Sequence, residues 1–545
     1  MCGIWVVLGA PLDSSKAKGY LAKLHSRGPE GARIVEGSNF QLGFTRLAIN
    51  GLNEAGMQPF QNGGLTWVCN GEIYNWRDLA SRYALDLKSG SDCEIIAPLF
   101  AKLAPETDAA TFFRSLDGVF STVIIDTEMS IAYIARDPYG VRPLFMGYQF
   151  EEVEGRQTVK RIILASEMKA LPPCGHVEAF PPGHYAAYDL KSLQRIGFEA
   201  YHSVPWLKNP HFTMDNSAHV YSALRDSLVC AVKKRLMTER PVAALLSGGL
   251  DSSLVAALVQ RELVKAGSPP LQTFSIGFKD SEDLRHARLV ADHIGSKHTE
   301  IIMTPEDFFE AIPEVIQNIE TFDITTVRAS VGNWLVSREI ARRTNCKVVF
   351  NGDGSDEVLG GYLYFYKAPS GEAFEYETRR LLTEIHTFDV LRSDRSISSH
   401  GLEARTPFLD KQFVNVAMSI STEMRRPLKD KYCEKRVLRK AFEDEGLLPE
   451  CVLWRRKEAF SDGVSGTSKS WYEECQERAL VEVGDDWTTM TSRFTYLTPK
   501  TAESYYYRFL FHTYYKGYET AVVPHFWMPQ WTNATDPSAR TLTLY

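Results

Sequence analysis

The chain has 545 residues, too long for one ordinary core, so two or more domains are expected. Hydrophobic residues make up 44% and charged residues 24%, ordinary proportions that force no long disordered tract. Lys+Arg total 61 against Asp+Glu 68, a net charge of −7, which lacks the basic surplus of a nucleic-acid binder.

The nine cysteines are scattered, with no CxxC pair and no zinc spacing. That usage fits reduced thiols and a cytoplasmic location. The apolar run Ile4–Ala10 has no basic flank and is too short to span a bilayer, and no later stretch is long enough. The ending Thr541-Leu-Thr-Leu-Tyr545 matches no lipidation or retention signal. Asn533-Ala-Thr535 is a glycosylation sequon with no export signal to give it meaning.

Residues 1 to 200 read as mostly β. Apolar runs at Gln41–Ile49, Thr66–Cys69, Val119–Asp126 and Ser130–Ala135 are punctuated by Gly, Pro and Asn clusters, which suggests packed sheets. Tyr201–Asn216 is polar and broken by Pro205 and Pro210, so a linker is placed at 201–219. Beyond it the period changes. Val220–Leu236 and Ser252–Leu263 carry apolar residues at helical spacing, while Val242–Leu246, Thr273–Phe278 and Lys347–Phe350 are strand-like. Alternating strands and helices imply a parallel sheet over 220–545.

Cys2 follows the initiator Met1. Removal of Met1 would leave a thiol whose own α-amine, of reference pKa about 7.7–8.0, is a ready general base. Four segments accompany it: Thr45-Arg-Leu-Ala-Ile-Asn50, Asn70-Gly-Glu-Ile-Tyr-Asn75, Gly90-Ser-Asp-Cys-Glu94 and Arg136-Asp-Pro-Tyr-Gly-Val-Arg-Pro-Leu-Phe145. The fork of Arg46 suits a substrate carboxylate; Glu72 and Asp92 suit an ammonium. The Asn70 amide and the Gly71 N–H suit an oxyanion hole. Singly, Arg46 and Asp92 also read as surface charges, and Asn70-Gly71 as a hairpin turn.

Together these segments resemble the class II glutamine amidotransferase domain, an N-terminal-nucleophile hydrolase. The resemblance covers residues 2–200 and implies an αββα sandwich of α+β class. It also implies that Cys2 attacks the glutamine amide, that Asn70 and Gly71 form the oxyanion hole, and that Arg46, Leu47, Ala48, Ile49, Asn50, Glu72 and Asp92 join them in holding glutamine. One departure is Ser26-Arg-Gly-Pro-Glu30, where the family has His-Arg-Gly-Pro-Asp.

In the second half, strand-like Val242–Leu246 runs into Ser247-Gly-Gly-Leu-Asp-Ser-Ser253 and then a helix. Small residues bring backbone N–H groups around phosphate oxygens, and the helix start adds positive charge. There is no Lys in the loop, so it is not the GxxxxGK[ST] type. The string resembles the loop of ATP pyrophosphatases, which cut ATP between the α and β phosphates. Asp251 suits Mg²⁺, and Leu246 and Ile276 either flank adenine or pack in the core. Asn351-Gly-Asp-Gly-Ser-Asp-Glu357 carries three acids within five residues after another strand. Thr325-Thr-Val-Arg328 offers hydroxyls and a guanidinium, and Lys457 a charge for leaving pyrophosphate.

An amidotransferase domain joined to this loop resembles the glutamine-hydrolysing asparagine synthetases, essentially end to end. Ala165–Leu171, Ile324–Ser330, Gly360–Pro369, His400–Asp410 and Asn533–Arg540 carry the match; the last, with Lys233–Thr238, looks like the eukaryotic branch. The resemblance implies a C-terminal adenine-nucleotide α-hydrolase-like α/β domain over 220–545. It implies that L-aspartate, ATP, Mg²⁺ and L-glutamine react through β-aspartyl-AMP, with ammonia passing through an internal tunnel. It places ATP on Leu246, Ser247, Gly248, Gly249, Asp251, Ser252, Ile276, Asn351 and Gly352. Aspartate and pyrophosphate fall on Thr325, Thr326, Asp356 and Glu357, metal on Asp251 and Asp356, and catalysis on Arg328, Asp353 and Lys457. No nucleic acid or membrane partner is implied; a homodimer is compatible. The family's Ser-Gly-Glu-Gly-Ser-Asp-Glu reads Asn351-Gly-Asp-Gly-Ser-Asp-Glu357 here. The competing readings are an amidotransferase for another carboxylate, a β-lactam-forming synthetase, which would lack a working Cys2, and a non-enzymatic binding protein.

Overall fold

The computed structural model describes residues 1–104, 108–203, 216–429, 431–458, 463–465 and 469–538. Residues 1–203, 237–240 and 398–403 form one compact unit and the remainder a second. Residues 204–215 of the expected linker lie outside the described residues.

Among the described residues the first unit holds twelve strands: β1 (Gly3–Gly9), β2 (Ala32–Gly37), β3 (Phe40–Thr45), β4 (Phe60–Asn62), β5 (Leu65–Ile73), β6 (Gly118–Asp126), β7 (Ile131–Arg136), β8 (Phe145–Val153), β9 (Arg156–Ala165), β10 (His176–Ala179), β11 (His184–Asp189) and β12 (Arg195–Ala200). They form two six-stranded sheets, in the orders β10-β8-β9-β1-β3-β2 and β12-β11-β7-β6-β5-β4. Strand alternation explains how the sheets pack. Ile4, Val6 and Leu8 of β1 meet Val68 of β5 and Val123 and Ile125 of β6 in the core between the sheets. Trp67 and Cys69 of β5, on the opposite face, pack on the helix Ile96–Leu103 through Ile96, Leu99 and Phe100. The helix Ser14–Ala22 covers the first sheet, with Leu21 beside Gly43. The result is the expected αββα sandwich.

Two strand boundaries differ from expectation. The run from Gln41 leaves the sheet at Thr45, because Arg46–Asn50 bond to a loop and a carboxylate instead of a strand. Asn70-Gly71 is no turn. Both lie inside β5, opposite Ser121 and Phe120 of β6. A Cβ on Gly71 would sit 2.1 Å from the Val119 carbonyl oxygen, so glycine is required by close approach of the neighbouring strand.

The second unit is built on a five-stranded sheet, with β13 (Val242–Leu245), β14 (Gln272–Gly277), β15 (Lys297–Ile302), β16 (Val348–Phe350) and β17 (Glu403–Arg405) in the order β15-β14-β13-β16-β17. The pairs β13–β14, β14–β15 and β13–β16 are parallel, as the strand–helix alternation predicts. The chain leaves β13 for β14 on one side and returns to β16 on the other. The crevice between the carboxyl ends of β13 and β16 is therefore a topological switch point, where open α/β sheets bind ligands. The helix Leu250–Lys265 follows β13, and the helix Ile324–Arg343 packs on β14.

Candidate active sites

In the first unit, antiparallel pairing of Gly3 with Thr45 sets Cys2 beside the segment after β3. The Leu47 N–H lies 3.4 Å from the Cys2 Sγ, and the thiol faces the Leu47 carbonyl at 3.5 Å. Arg27 is fully buried; its Nε donates to the Cys2 carbonyl at 2.9 Å and its Nη1 pairs with Glu167 at 2.8 Å. That contact is the physical role of the Arg-Gly-Pro turn. Glu30, the departure at the end of that turn, accepts from the Ala48 N–H at 2.8 Å and pairs with Arg240 at 2.7 Å. It thereby fixes the loop carrying Leu47, Ala48 and Ile49, all buried.

Asn70 shares the inward face of β5 with Val68. It is completely buried, and neither its amide oxygen nor its amide nitrogen has a hydrogen-bond partner among the described residues. An unpaired buried amide is costly, so this one is poised for a ligand. Glu72 accepts from the Asn50 amide at 2.8 Å, and Asp92 accepts from the Ile73 N–H at 2.7 Å. These bonds draw the 46–50 segment and Asp92 to the same stretch of β5. Arg46 is also there, its Nη1 on the Asn53 carbonyl at 2.9 Å and its Nη2 on the Gly51 carbonyl at 2.5 Å. Gln58, not singled out in the sequence, clamps both sides of the Cys69 backbone at 2.7 and 3.1 Å and so fixes the strand just before Asn70. The Met1 amine is buried and donates to the Leu402 carbonyl. Burial lowers that amine to about 5 and pushes the Cys2 thiol up to about 11, carboxylates of Glu403 and Glu72 adding to the latter.

The second site is a cavity of about 200 Å³ at the β13/β16 switch point. Leu246, Ser247, Gly249, Asp251 and Ser252 line one wall, and Asn351, Gly352, Asp353, Asp356 and Glu357 line another. The two loops touch: a Cβ on Gly352 would lie 2.7 Å from the Ser252 nitrogen. Gly248 has φ +73° and turns toward Ala287 and His286; it shapes the loop without itself lining the cavity. Ser247 and Ser252 share a 2.9 Å hydroxyl contact.

The carboxylates of Asp251 and Asp356 converge on one buried ammonium, Lys435 Nζ, at 2.5 and 2.6 Å. Lys457 Nζ reaches the other Asp356 oxygen at 2.6 Å. Burial alone would raise the Asp356 carboxyl, but Lys435 and Lys457 override it and hold it well below the usual range. Lys435 is not marked by the sequence motifs. It sits at φ +52° and is 2% exposed. The closeness of its Cε to Gly361, where a Cβ would come within 2.0 Å, explains the glycine there. Glu357 is pushed well upward by burial and by the Asp389 and Asp356 carboxylates. The Tyr362 hydroxyl donates to it and faces Asp389 Oδ2 at 3.4 Å. Asp353 accepts from Arg392 Nη2 at 2.9 Å, and the Asn351 amide donates to the Ser393 hydroxyl at 2.6 Å.

Thr325 and Thr326 open the helix Ile324–Arg343 and line the cavity. The Thr325 hydroxyl is buried without a partner among the described residues, whereas Thr326 is held by the Asp323 cap. Arg328, expected to be catalytic, does not line the cavity: its Nε bonds Glu503 at 2.7 Å, and Nη1 and Nη2 each bond Asp536 at 2.8 Å. One helical turn past Thr325 the side chain points into the protein, where two carboxylates use its fork. Of the segment Arg455–Asp462, residues 459–462 lie outside the described residues. Among the described residues no group of three or more His, Cys, Asp or Glu forms a ready metal cage, and no helix is long and apolar enough to cross a membrane.

A sandwich with an unpaired buried amide near a near-terminal thiol, and a parallel sheet with a serine–glycine loop at its switch point, define an amidotransferase unit joined to a nucleotide-loop unit. Residues 1–217 match the family model described as a glutamine amidotransferase domain, and residues 223–376 and 369–528 match that of asparagine synthase. The chain is 43% identical to the glutamine-hydrolysing asparagine synthetases of Cricetulus griseus, over 577 residues, and Homo sapiens, over 575 residues. It is 41% identical to that of Gallus gallus over 576 residues. Each alignment covers 100% of this chain and 99% of the relative. The chain belongs to the family of glutamine-hydrolysing asparagine synthetases.

Proposed function

We propose that this protein converts L-aspartate to L-asparagine with ATP and with ammonia from L-glutamine. A glutaminase domain spans 2–200 and a synthetase domain 220–545. In the first, the Cys2 thiolate attacks the glutamine side-chain carbon once Met1 is removed. The Cys2 α-amine takes the thiol proton and returns it to the leaving ammonia. The Asn70 amide N–H and the Gly71 N–H hold the developing oxyanion. Arg46 meets the glutamine carboxylate, while Glu72 and Asp92 meet its ammonium. Water then hydrolyses the thioester to glutamate.

In the second, a β-carboxylate oxygen of aspartate attacks the α-phosphorus of ATP and pyrophosphate leaves. Ammonia attacks the acyl carbon of β-aspartyl-AMP, loses a proton, and AMP departs with the carboxylate oxygen. Ser247, Gly249 and Ser252 cradle phosphate, with Gly248 shaping the turn; Lys435 and Lys457 stabilise the pyrophosphate charge. Leu246 and Ile276 flank the base, and Asn351 and Gly352 close the pocket. Thr325, Thr326 and Glu357 face aspartate and pyrophosphate, and Asp353, oriented by Arg392, stands beside the acyl carbon.

Asp251 and Asp356 are suited to Mg²⁺, which takes one or two carboxylates and completes its shell with phosphates and water. When bound, the ion would neutralise phosphate charge. A cytoplasmic location is supported by the scattered cysteine usage, and a homodimeric assembly is compatible with the resemblance. The observation that carries the reading is the cavity at the switch point, where two lysines balance two carboxylates beside the serine–glycine loop. Incubation with aspartate, glutamine and ATP should yield asparagine, glutamate, AMP and pyrophosphate in equal amounts. Glutamine-dependent amidation of a different carboxylate, with aspartate inert, would overturn the choice of substrate.

A further inference from the structure

Asp251 and Asp356 come from the two loops that line the cavity, and all four of their carboxylate oxygens are engaged. Asp251 Oδ1 accepts from the Ser355 hydroxyl at 2.8 Å, and its Oδ2 lies 2.5 Å from Lys435 Nζ. Asp356 Oδ1 lies 2.6 Å from the same ammonium, and its Oδ2 takes Lys457 Nζ at 2.6 Å. Within this cluster two carboxylates and two ammoniums sum to zero charge. Of these partners only Lys435 touches both acids. The backbone that carries it is pinned by its neighbour. Glu434, 1% exposed, pairs with Arg439 at 2.5 Å and accepts from the Tyr366 hydroxyl and the Lys457 N–H, each at 3.0 Å. One buried carboxylate therefore anchors the chain at both lysines. Lys435 is itself 2% exposed. Its ammonium cannot turn out to water, and losing both acids without a replacement would strand a buried charge. Only an incoming anion can take their place.

We propose that Lys435 is the built-in counter-ion of the Asp251–Asp356 pair, excluding a divalent cation from it until the phosphates of a nucleotide draw the ammonium away. The proposal rests on the nucleotide and Mg²⁺ assignment made above and adds an order to it: the pair takes a metal ion only together with phosphate. The physical basis is competition for the same oxygens. Mg²⁺ uses one or two carboxylates and completes its shell with phosphate and water, so the acids alone hold it weakly against an ammonium already in contact. The Lys435 ammonium ends a flexible four-carbon stem and can exchange carboxylate for phosphate while its backbone stays fixed. Metal and nucleotide then strengthen each other's binding reciprocally.

The test is binding of Mn²⁺ alone, a hard divalent stand-in for Mg²⁺, to the full-length protein without nucleotide. The electron paramagnetic resonance of free Mn²⁺ reads it for the parent, Lys435→Met and Lys435→Gln. The glutamine keeps a donor beside the acids, and thermal melts check the folding of each variant. Either variant should bind Mn²⁺ at least tenfold more tightly than the parent, because a charge in contact shifts a neighbouring ionic equilibrium by about tenfold or more. Adding Asp251→Asn should remove the gain. Parent binding as tight as that of the folded variants, or a gain that survives Asp251→Asn, would overturn the role of Lys435. Calorimetry of Mg–ATP on the parent tests the underlying reading separately. No binding would refute the nucleotide assignment and the proposal with it, whereas ATP binding beside variant-like affinity for Mn²⁺ alone would refute the role of Lys435 only.

Discussion

Asn70 keeps both ends of its amide buried and without a partner among the described residues, a condition that costs about 1–3 kcal/mol for each lost partner. Its neighbours explain why the side chain cannot turn away: β6 lies alongside, and Gln58 clamps the residue before it. Asn70→Ala should therefore lower glutamine hydrolysis by about 10²–10³-fold, the usual loss for one oxyanion donor, with thermal stability equal or higher. Hydrolysis within threefold of the parent would remove Asn70 from the oxyanion hole. Cys2 carries a pH prediction. With Met1 retained, burial holds the thiol near 11, so the reactive thiolate is scarce at pH 8 and grows only as pH rises toward that value. A chain with Met1 retained should react slowly with iodoacetamide at pH 8, and a processed chain much faster; mass spectrometry of the N-terminal peptide reads the difference. Equal rates would remove the α-amine as base. Asp353 is one methylene shorter than the family's Glu, yet Arg392 reaches it at 2.9 Å. Asp353→Ala should lose aspartate-dependent pyrophosphate release and Asp353→Glu should keep much of it. Parent-like synthesis in Asp353→Ala would make the position structural.

At the scale of elements, the sequence displayed whatever is contiguous. The serine–glycine loop, the Asn351–Glu357 run and the strands around them are local strings, and the structure brings both to the β13/β16 switch point. What depends on rotation about a helix or on partners far along the chain was hidden. Arg328 stands next to the cavity-lining threonines in sequence, but its partners Glu503 and Asp536 are 175 and 208 residues away, and no local pattern announces them. Lys435 was missed for the same reason, since its significance lies in the two carboxylates it joins. Asn70-Gly71 misleads in the other direction, because a dipeptide that favours turns occupies a strand where only the neighbouring carbonyl at Val119 reveals why glycine is needed. Breaking one side of a buried ion pair commonly costs about 3–5 kcal/mol. Arg328→Ala should thus lower the denaturant midpoint of the second unit, and lost synthesis should follow the lost stability. A variant of parent stability but with pyrophosphate release abolished would restore a catalytic role. Gly352→Ala would press a methyl within 2.7 Å of the Ser252 nitrogen. It should weaken ATP binding more than tenfold while glutamine hydrolysis stays at the parent rate.

At the scale of the whole molecule, each unit carries its own core and its own chemistry. Cys2, Asn70 and Asp92 belong to one unit, and the phosphate loop with Lys435 and Lys457 to the other. Cys2→Ala should abolish glutamine-dependent synthesis while leaving synthesis from added ammonium salts near the parent rate; equal loss of both would argue against separable sites. The central claim is that aspartate is activated as an acyl-adenylate. The most direct measurement supplies aspartate labelled with oxygen-18 in the β-carboxylate, together with ATP and glutamine, and follows the label by phosphorus NMR. The account predicts one labelled oxygen in AMP for each asparagine formed and none in pyrophosphate. Label in inorganic phosphate with ADP as the product, or AMP free of label while asparagine accumulates, would contradict it.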